Sequence, residues 1–145
     1  MAWVEPLSRL LLLFAFALAL SLAGCGGGGG DEQNATTECD DAAFRAQDEE
    51  LYVAQVTVAN AIGGGGDPAT LLLDLRRART ALADYLDRNR PCDAALLAIS
   101  TTEREAVSAL DEAVAALEEG ADAKAPLGRA LSALETAQQE LSGSP

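Results

Sequence analysis

The chain has 145 residues and a formal charge of -13, from 23 acidic against 10 basic side chains, with no histidine, three cysteines and thirteen glycines. An acidic protein lacks the basic face that meets phosphate, so nucleic acid is excluded as a partner. Without imidazole there is no serine–histidine triad, cysteine–histidine pair or histidine metal site, and 49% hydrophobic residues are too many for a chain disordered throughout.

Residues 1–24 read as a targeting segment rather than as part of the fold. Leu10 to Leu22 is apolar except for Ser21, and Arg9 precedes it. This run has the length of a signal-peptide core and falls short of the ~20 residues of a membrane-spanning helix. No twin-arginine pair is present, which favours the general secretory route.

The run closes on Leu22-Ala23-Gly24-Cys25. These four residues resemble the lipobox of bacterial lipoproteins, read by the lipoprotein signal peptidase. The resemblance covers the first 25 residues only; no family is recognised for the rest. It implies a diacylglyceryl group on the Cys25 sulfur, cleavage between Gly24 and Cys25, and an acylated (palmitate-bearing) mature N-terminus. Two or three acyl chains, at roughly 0.8 kcal/mol per buried CH₂, hold a small domain on a bilayer. The implied location is the extracytoplasmic face of the cell membrane, with the membrane itself engaged through the lipid on Cys25.

Residues 25–38 then form the expected tether: the lipidated cysteine, the glycines 26–30, and a polar stretch to Glu38. The glycines are no phosphate loop, because Asp31-Glu32 follows where Gly-Lys-Ser/Thr is needed.

From Cys39 to Ser142 the apolar spacing predicts an all-α fold, a four-helix, antiparallel up-down bundle; residues 143–145 are a disordered tail. The first helix is expected from about Asp40 to Ile62, with Phe44, Leu51, Tyr52, Val56, Ala59 and Ile62 on one broad face. Gly63, Gly64, Gly65 and Gly66 stop it. The second follows Asp67 as cap and Pro68 at the first position, with Leu71, Leu75, Ala78, Leu82 and Tyr85 as its seam. Pro91 ends it. The third is expected from about Asp93 to Glu119, with the seam Val107, Leu110, Val114, Leu117 extended back through Leu96, Leu97 and Ile99. A break near Ser100-Thr102 is one option, since Thr102 and Glu105 have capping-box form. Gly120 ends the third helix. The fourth starts near Pro126, with Leu127, Leu131, Leu134, Gln138 and Leu141 in line.

With Cys25 lipidated, Cys39 and Cys92 remain. In an up-down bundle both lie at one pole, so a disulfide agrees with the helix order; two free thiols are the alternative. Asp40 and Asp41 are expected to face Arg88 and Arg90 there. The Gly63–Gly66 loop falls at the opposite pole, either as a partner-facing loop or as a plain reversal.

Paired carboxylates are the one catalytic device this composition permits. The acids mostly read as solvated clusters, Asp48-Glu49-Glu50, Asp111-Glu112 and Glu118-Glu119, with none alone in an apolar run where burial shifts its pKa. No calcium-loop spacing, Glu-x-x-His motif or methionine cluster is present after residue 1, so no cofactor and no metal ion is expected. The expected function is a non-catalytic interaction or structural module at the cell envelope, with an envelope protein as possible partner. An apolar-ligand or lipid carrier is the alternative, and a carboxylate-based hydrolase the remote one.

Overall fold

The structure, a computed structural model, describes residues 38–143. Gly24, Cys25 and all but the last residue of the expected tether lie outside those residues, as do Ser144 and Pro145. Five helices follow in order: α1 (Asp41–Arg45), α2 (Asp48–Ile62), α3 (Pro68–Arg88), α4 (Ala94–Glu118) and α5 (Lys124–Gly143), with no strand among the described residues. The all-α bundle read from apolar spacing is therefore the observed fold.

Local chemistry explains most boundaries. Asp67 accepts from the Thr70 amide at 3.0 Å and Pro68 opens α3. Asp93 accepts from the Ala95 and Leu96 amides at the start of α4. Gly120 closes α4 at φ 70°, with its amide on the Leu117 carbonyl and the Ala121 amide on Ala116 at 2.8 Å. That pair of bonds is a Schellman ending, which a left-handed residue completes.

One expectation is corrected and one open alternative is decided. The stretch from Asp40 to Ile62 is not one helix: it breaks at Ala46 and Gln47. The Ala43 carbonyl, which would accept from Gln47 in a continuous helix, instead accepts from the Ala46 amide and from the Tyr85 hydroxyl of α3. The Ser100-Thr102 break does not occur, and α4 runs unbroken for 25 residues. Thr101 and Thr102 return their hydroxyl protons to the carbonyls of Leu97 and Ala98, a pattern the helix interior accommodates.

The four long helices form a closed ring, with α2 on α3, α3 on α4, α4 on α5 and α5 back on α2. Their core faces are Leu51, Ala54, Val58 and Ala61 of α2, Leu75, Ala78, Leu82 and Leu86 of α3, Leu96, Ile99, Ala106 and Leu110 of α4, and Leu127, Ala130, Leu134 and Ala137 of α5. Surface pairs record the antiparallel register. Arg76 meets Glu118, Arg79 meets Asp111 at 2.9 Å and Arg104 meets Asp87 at 3.2 Å across α3 and α4. Arg129 meets Glu112 across α4 and α5. Exposed pairs of this kind are each worth on the order of 0–1 kcal/mol, so they report alignment more than they stabilise. Gln138, the polar residue in the α5 seam, accepts from Gln55 of α2 at 2.7 Å.

At the pole where the chain enters the bundle, Cys39 and Cys92 are disulfide-bonded, with Cα atoms 5.4 Å apart. The Asp40 amide donates to the Arg90 carbonyl at 3.0 Å, and the Asp41 carboxylate accepts from the amides of Cys92 and Asp93. The expected pairing of Asp40 and Asp41 with the Arg88 and Arg90 side chains is replaced by these backbone contacts. A helix-start amide is a nearer and better-fixed donor than a mobile guanidinium.

Candidate functional site

The core face of α4 steps through Leu96, Ile99, Glu103, Ala106, Leu110 and Ala113, all buried. Glu103 stands seven residues from both Leu96 and Leu110, so helical geometry turns its carboxyl inward. It is 0% exposed, as is Gln47, which lies between α1 and α2. Neither carboxyl oxygen of Glu103, and neither polar atom of the Gln47 side chain, has a hydrogen-bond partner that meets full geometry. Burial pushes the Glu103 carboxyl up to about 8; the neighbouring Gln47 amide and Arg104 both favour the charged form, and burial outweighs them. Tyr85, close by on α3, is also shifted up, first by burial and then by the charges of Glu50, Glu103 and Asp40.

This overturns the expectation that no carboxylate sits where burial shifts its pKa. The signal was in the register. Taking the α4 seam from Val107, Val114 and Leu117 selects residues that are only half-buried, and Leu97 is exposed. Starting from Leu96 and Ile99 instead puts Glu103 in the core stripe. Chemically, Glu103 at neutral pH is an acid that holds its proton. Glycosidase-type work needs a second carboxyl across a cleft. Glu103 lines none of the four grooves described for the surface.

A second feature lies on α2. Its expected apolar face mixes two sides of the helix. Phe44 and Leu51 are buried, whereas Tyr52, Val53 and Val56 are 61%, 50% and 41% exposed, and Ala59 and Ile62 are exposed too. The core side is Leu51, Ala54, Val58 and Ala61; the opposite side carries Tyr52, Val53, Val56 and Ala59 to solvent. No basic residue occurs between Arg45 and Arg76, while Asp48, Glu49, Glu50, Asp67 and Asp74 do.

The glycine loop joins α2 to α3. Gly64 and Gly66 adopt φ of 67° and 110°, conformations that side chains disfavour, so the reversal itself requires glycine there. An open groove of about 460 Å³ lies beside the loop, lined by Asn60, Gly63, Gly65, Gly66, Asp67 and Thr70 among others. A larger open groove of about 610 Å³ runs between α4 and α5. Its wall is mixed, with Thr102, Glu112, Arg129 and Thr136 beside Ala109 and Ala133.

Among the described residues no cluster of three metal-ligating acids or cysteines occurs, and no helix is long and apolar enough to cross a membrane. Comparison of the chain with family models, curated proteins and solved structures returns no match. The site features therefore rest on this chain's own residues.

Proposed function

We propose that the protein is a lipoprotein held on the extracytoplasmic face of the cell membrane through Cys25, and that its acidic bundle docks a partner polypeptide of the envelope. The anchor is supported by Leu22-Ala23-Gly24-Cys25 at the end of an apolar run and by a glycine-rich stretch before the bundle. The docking role rests on one observation: α2 fills the core with one side and keeps Tyr52, Val53 and Val56 in solvent on the other. Contiguous exposed apolar residues on a small domain mark binding surfaces.

The electrostatics specify the occupant. The apolar strip sits in a segment with five carboxylates and no base from Asp48 to Asp74. A partner helix with an apolar stripe flanked by lysine or arginine complements both properties. A role in binding fits better than the carrier alternative, because the grooves among the described residues are open to solvent, whereas an apolar cargo needs an enclosed cavity.

Two experiments test the two halves. Cys25→Ser is expected to release the protein from membranes into the soluble fraction; unchanged retention overturns the anchor. For docking, a photo-crosslinking side chain is placed at position 52 or 56 of the membrane-bound protein. The expected adduct is a polypeptide crosslinked within an apolar, base-flanked segment, lost when Val53 is changed to Glu. An adduct with lipid or with a second copy of this chain, or no adduct at all, overturns it.

A further inference from the structure

Glu103 and Gln47 meet at the corner where α1 gives way to α2. Their four polar atoms are sealed from solvent, and none of them has a well-formed hydrogen bond, either to the other residue or to any further group. A protonated acid and a carboxamide can each donate to and accept from the other: a small shift of the side chains lets the acid O–H donate to the Gln47 Oε1 while Gln47 Nε2–H donates to the acid carbonyl. An ionised carboxylate has no donor for Oε1, so one of the two bonds is lost and a charge is left in the core.

We propose that the protonated Glu103–Gln47 pair is a latch that holds the α1–α2 corner on the bundle, and that loss of the Glu103 proton releases it. The surroundings offer an emerging charge little relief. On its own helix, Arg104 is exposed and engaged by the Asp87 carboxylate and the Leu86 carbonyl. From α3 the neighbouring titratable group is Tyr85, itself held neutral by burial. The α1–α2 corner adds Glu50 and Asp40 around Tyr85, both of the wrong sign. The ionisable residues of α5, Lys124, Arg129, Glu135 and Glu140, all occupy exposed positions. Ionisation therefore draws in water rather than a cation.

The corner is built to yield. Gln47 sits in the non-helical joint, and α1 is only five residues long. Phe44, the Tyr85–Ala43 hydrogen bond and the Cys39–Cys92 disulfide hold it in place. The disulfide would keep the opened segment attached. The raised Glu103 pKa, about 8, places the release on the alkaline side of neutrality. The latch does not depend on the lipid anchor or on α2 docking.

The test uses the full-length, disulfide-bonded chain. Carboxyl carbon-13 titration is expected to show one glutamate titrating above pH 7, assigned to Glu103 by its loss in Glu103→Gln. Hydrogen exchange, corrected for intrinsic rates, is expected to speed up at least tenfold for residues 43–51 across the same interval, with the cores of α4 and α5 unchanged. In Glu103→Gln that local change disappears. If the variant does not fold, the wild-type exchange profile and titration decide alone. A wild type in which every glutamate titrates below pH 6, or an opening spread evenly over all helices, overturns the latch.

Discussion

A carboxyl group deprived of water keeps its proton when burial outweighs the nearest cation, and this governs Glu103. Glu103 has an ordinary value of 4.5 when unfolded and about 8 when folded. Between those values the native state holds one more proton than the unfolded chain, so stability falls as pH rises. The contribution is full below about pH 4.5, declines by at most about 1.4 kcal/mol per pH unit, and is lowest above about pH 8. Denaturant titrations at pH 5.5 and 8.5 are expected to show this decline in the wild type and a flatter profile in Glu103→Gln. A second residue-scale expectation concerns Gly120, whose positive φ any side chain resists. Gly120→Ala should cost about 1–2 kcal/mol in thermal or chemical unfolding. Gly120 was legible as a helix stop because glycine at that point has few other uses. Glu103 was passed over because its own neighbours in sequence, Thr102 and Arg104, are polar; its burial is visible only in steps of three and four.

At the scale of the helix, α3 declares itself and α2 does not. Asp67-Pro68 fixes the start of α3, and Leu71, Leu75, Leu82 and Leu86 are spaced along its inner side. On α2 both sides carry apolar residues, so periodicity cannot choose which faces inward. The structure chooses Leu51, Ala54, Val58 and Ala61, whose slim alanines let α3 and α5 approach on either side. The choice is testable. Leu51→Ala should cost about 2–5 kcal/mol of unfolding free energy, as core truncations do. Tyr52→Lys and Val56→Lys should each change it by no more than about 0.5 kcal/mol, as exposed substitutions do. The reverse ranking would show that the outer side is the packed one. The break at Ala46-Gln47 and the continuity through Ser100-Thr102 have the same origin. Ser100-Thr102 has the composition of a break, but burial of Ile99, Ser100 and Glu103 keeps the segment helical. Ala46-Gln47 has the composition of a helix, but the Tyr85 hydroxyl from another helix occupies the Ala43 carbonyl.

For the whole molecule, one covalent link and one ring of helix contacts set the stability. The Cys39–Cys92 disulfide closes a loop with a sequence separation of 53. In the chain-entropy account such a loop stabilises by about 4 kcal/mol. Cys39→Ser with Cys92→Ser, or reduction of the native protein, should lower the unfolding free energy by up to that amount while leaving the helical circular-dichroism signal intact at 25 °C. Complete loss of helix would mean that the packed core contributes far less than its buried leucines imply.

The spacing of leucine and alanine was enough to determine the all-α bundle, and the charge of -13 and the missing histidine the chemistry its surface can offer. Each is a property of residue type and order, and survives any arrangement of the helices. The pole shared by Cys39 and Cys92 followed from helix order alone. Tertiary structure decided which side of α2 is exposed, where the first helical stretch breaks, and that Glu103 lies sealed against Gln47. Those outcomes depend on atoms distant in sequence: a tyrosine hydroxyl forty-two positions from the carbonyl it holds, and a glutamine in the joint between α1 and α2. Local propensity carries no information about such neighbours, because burial is a property of the packed chain and not of the residue.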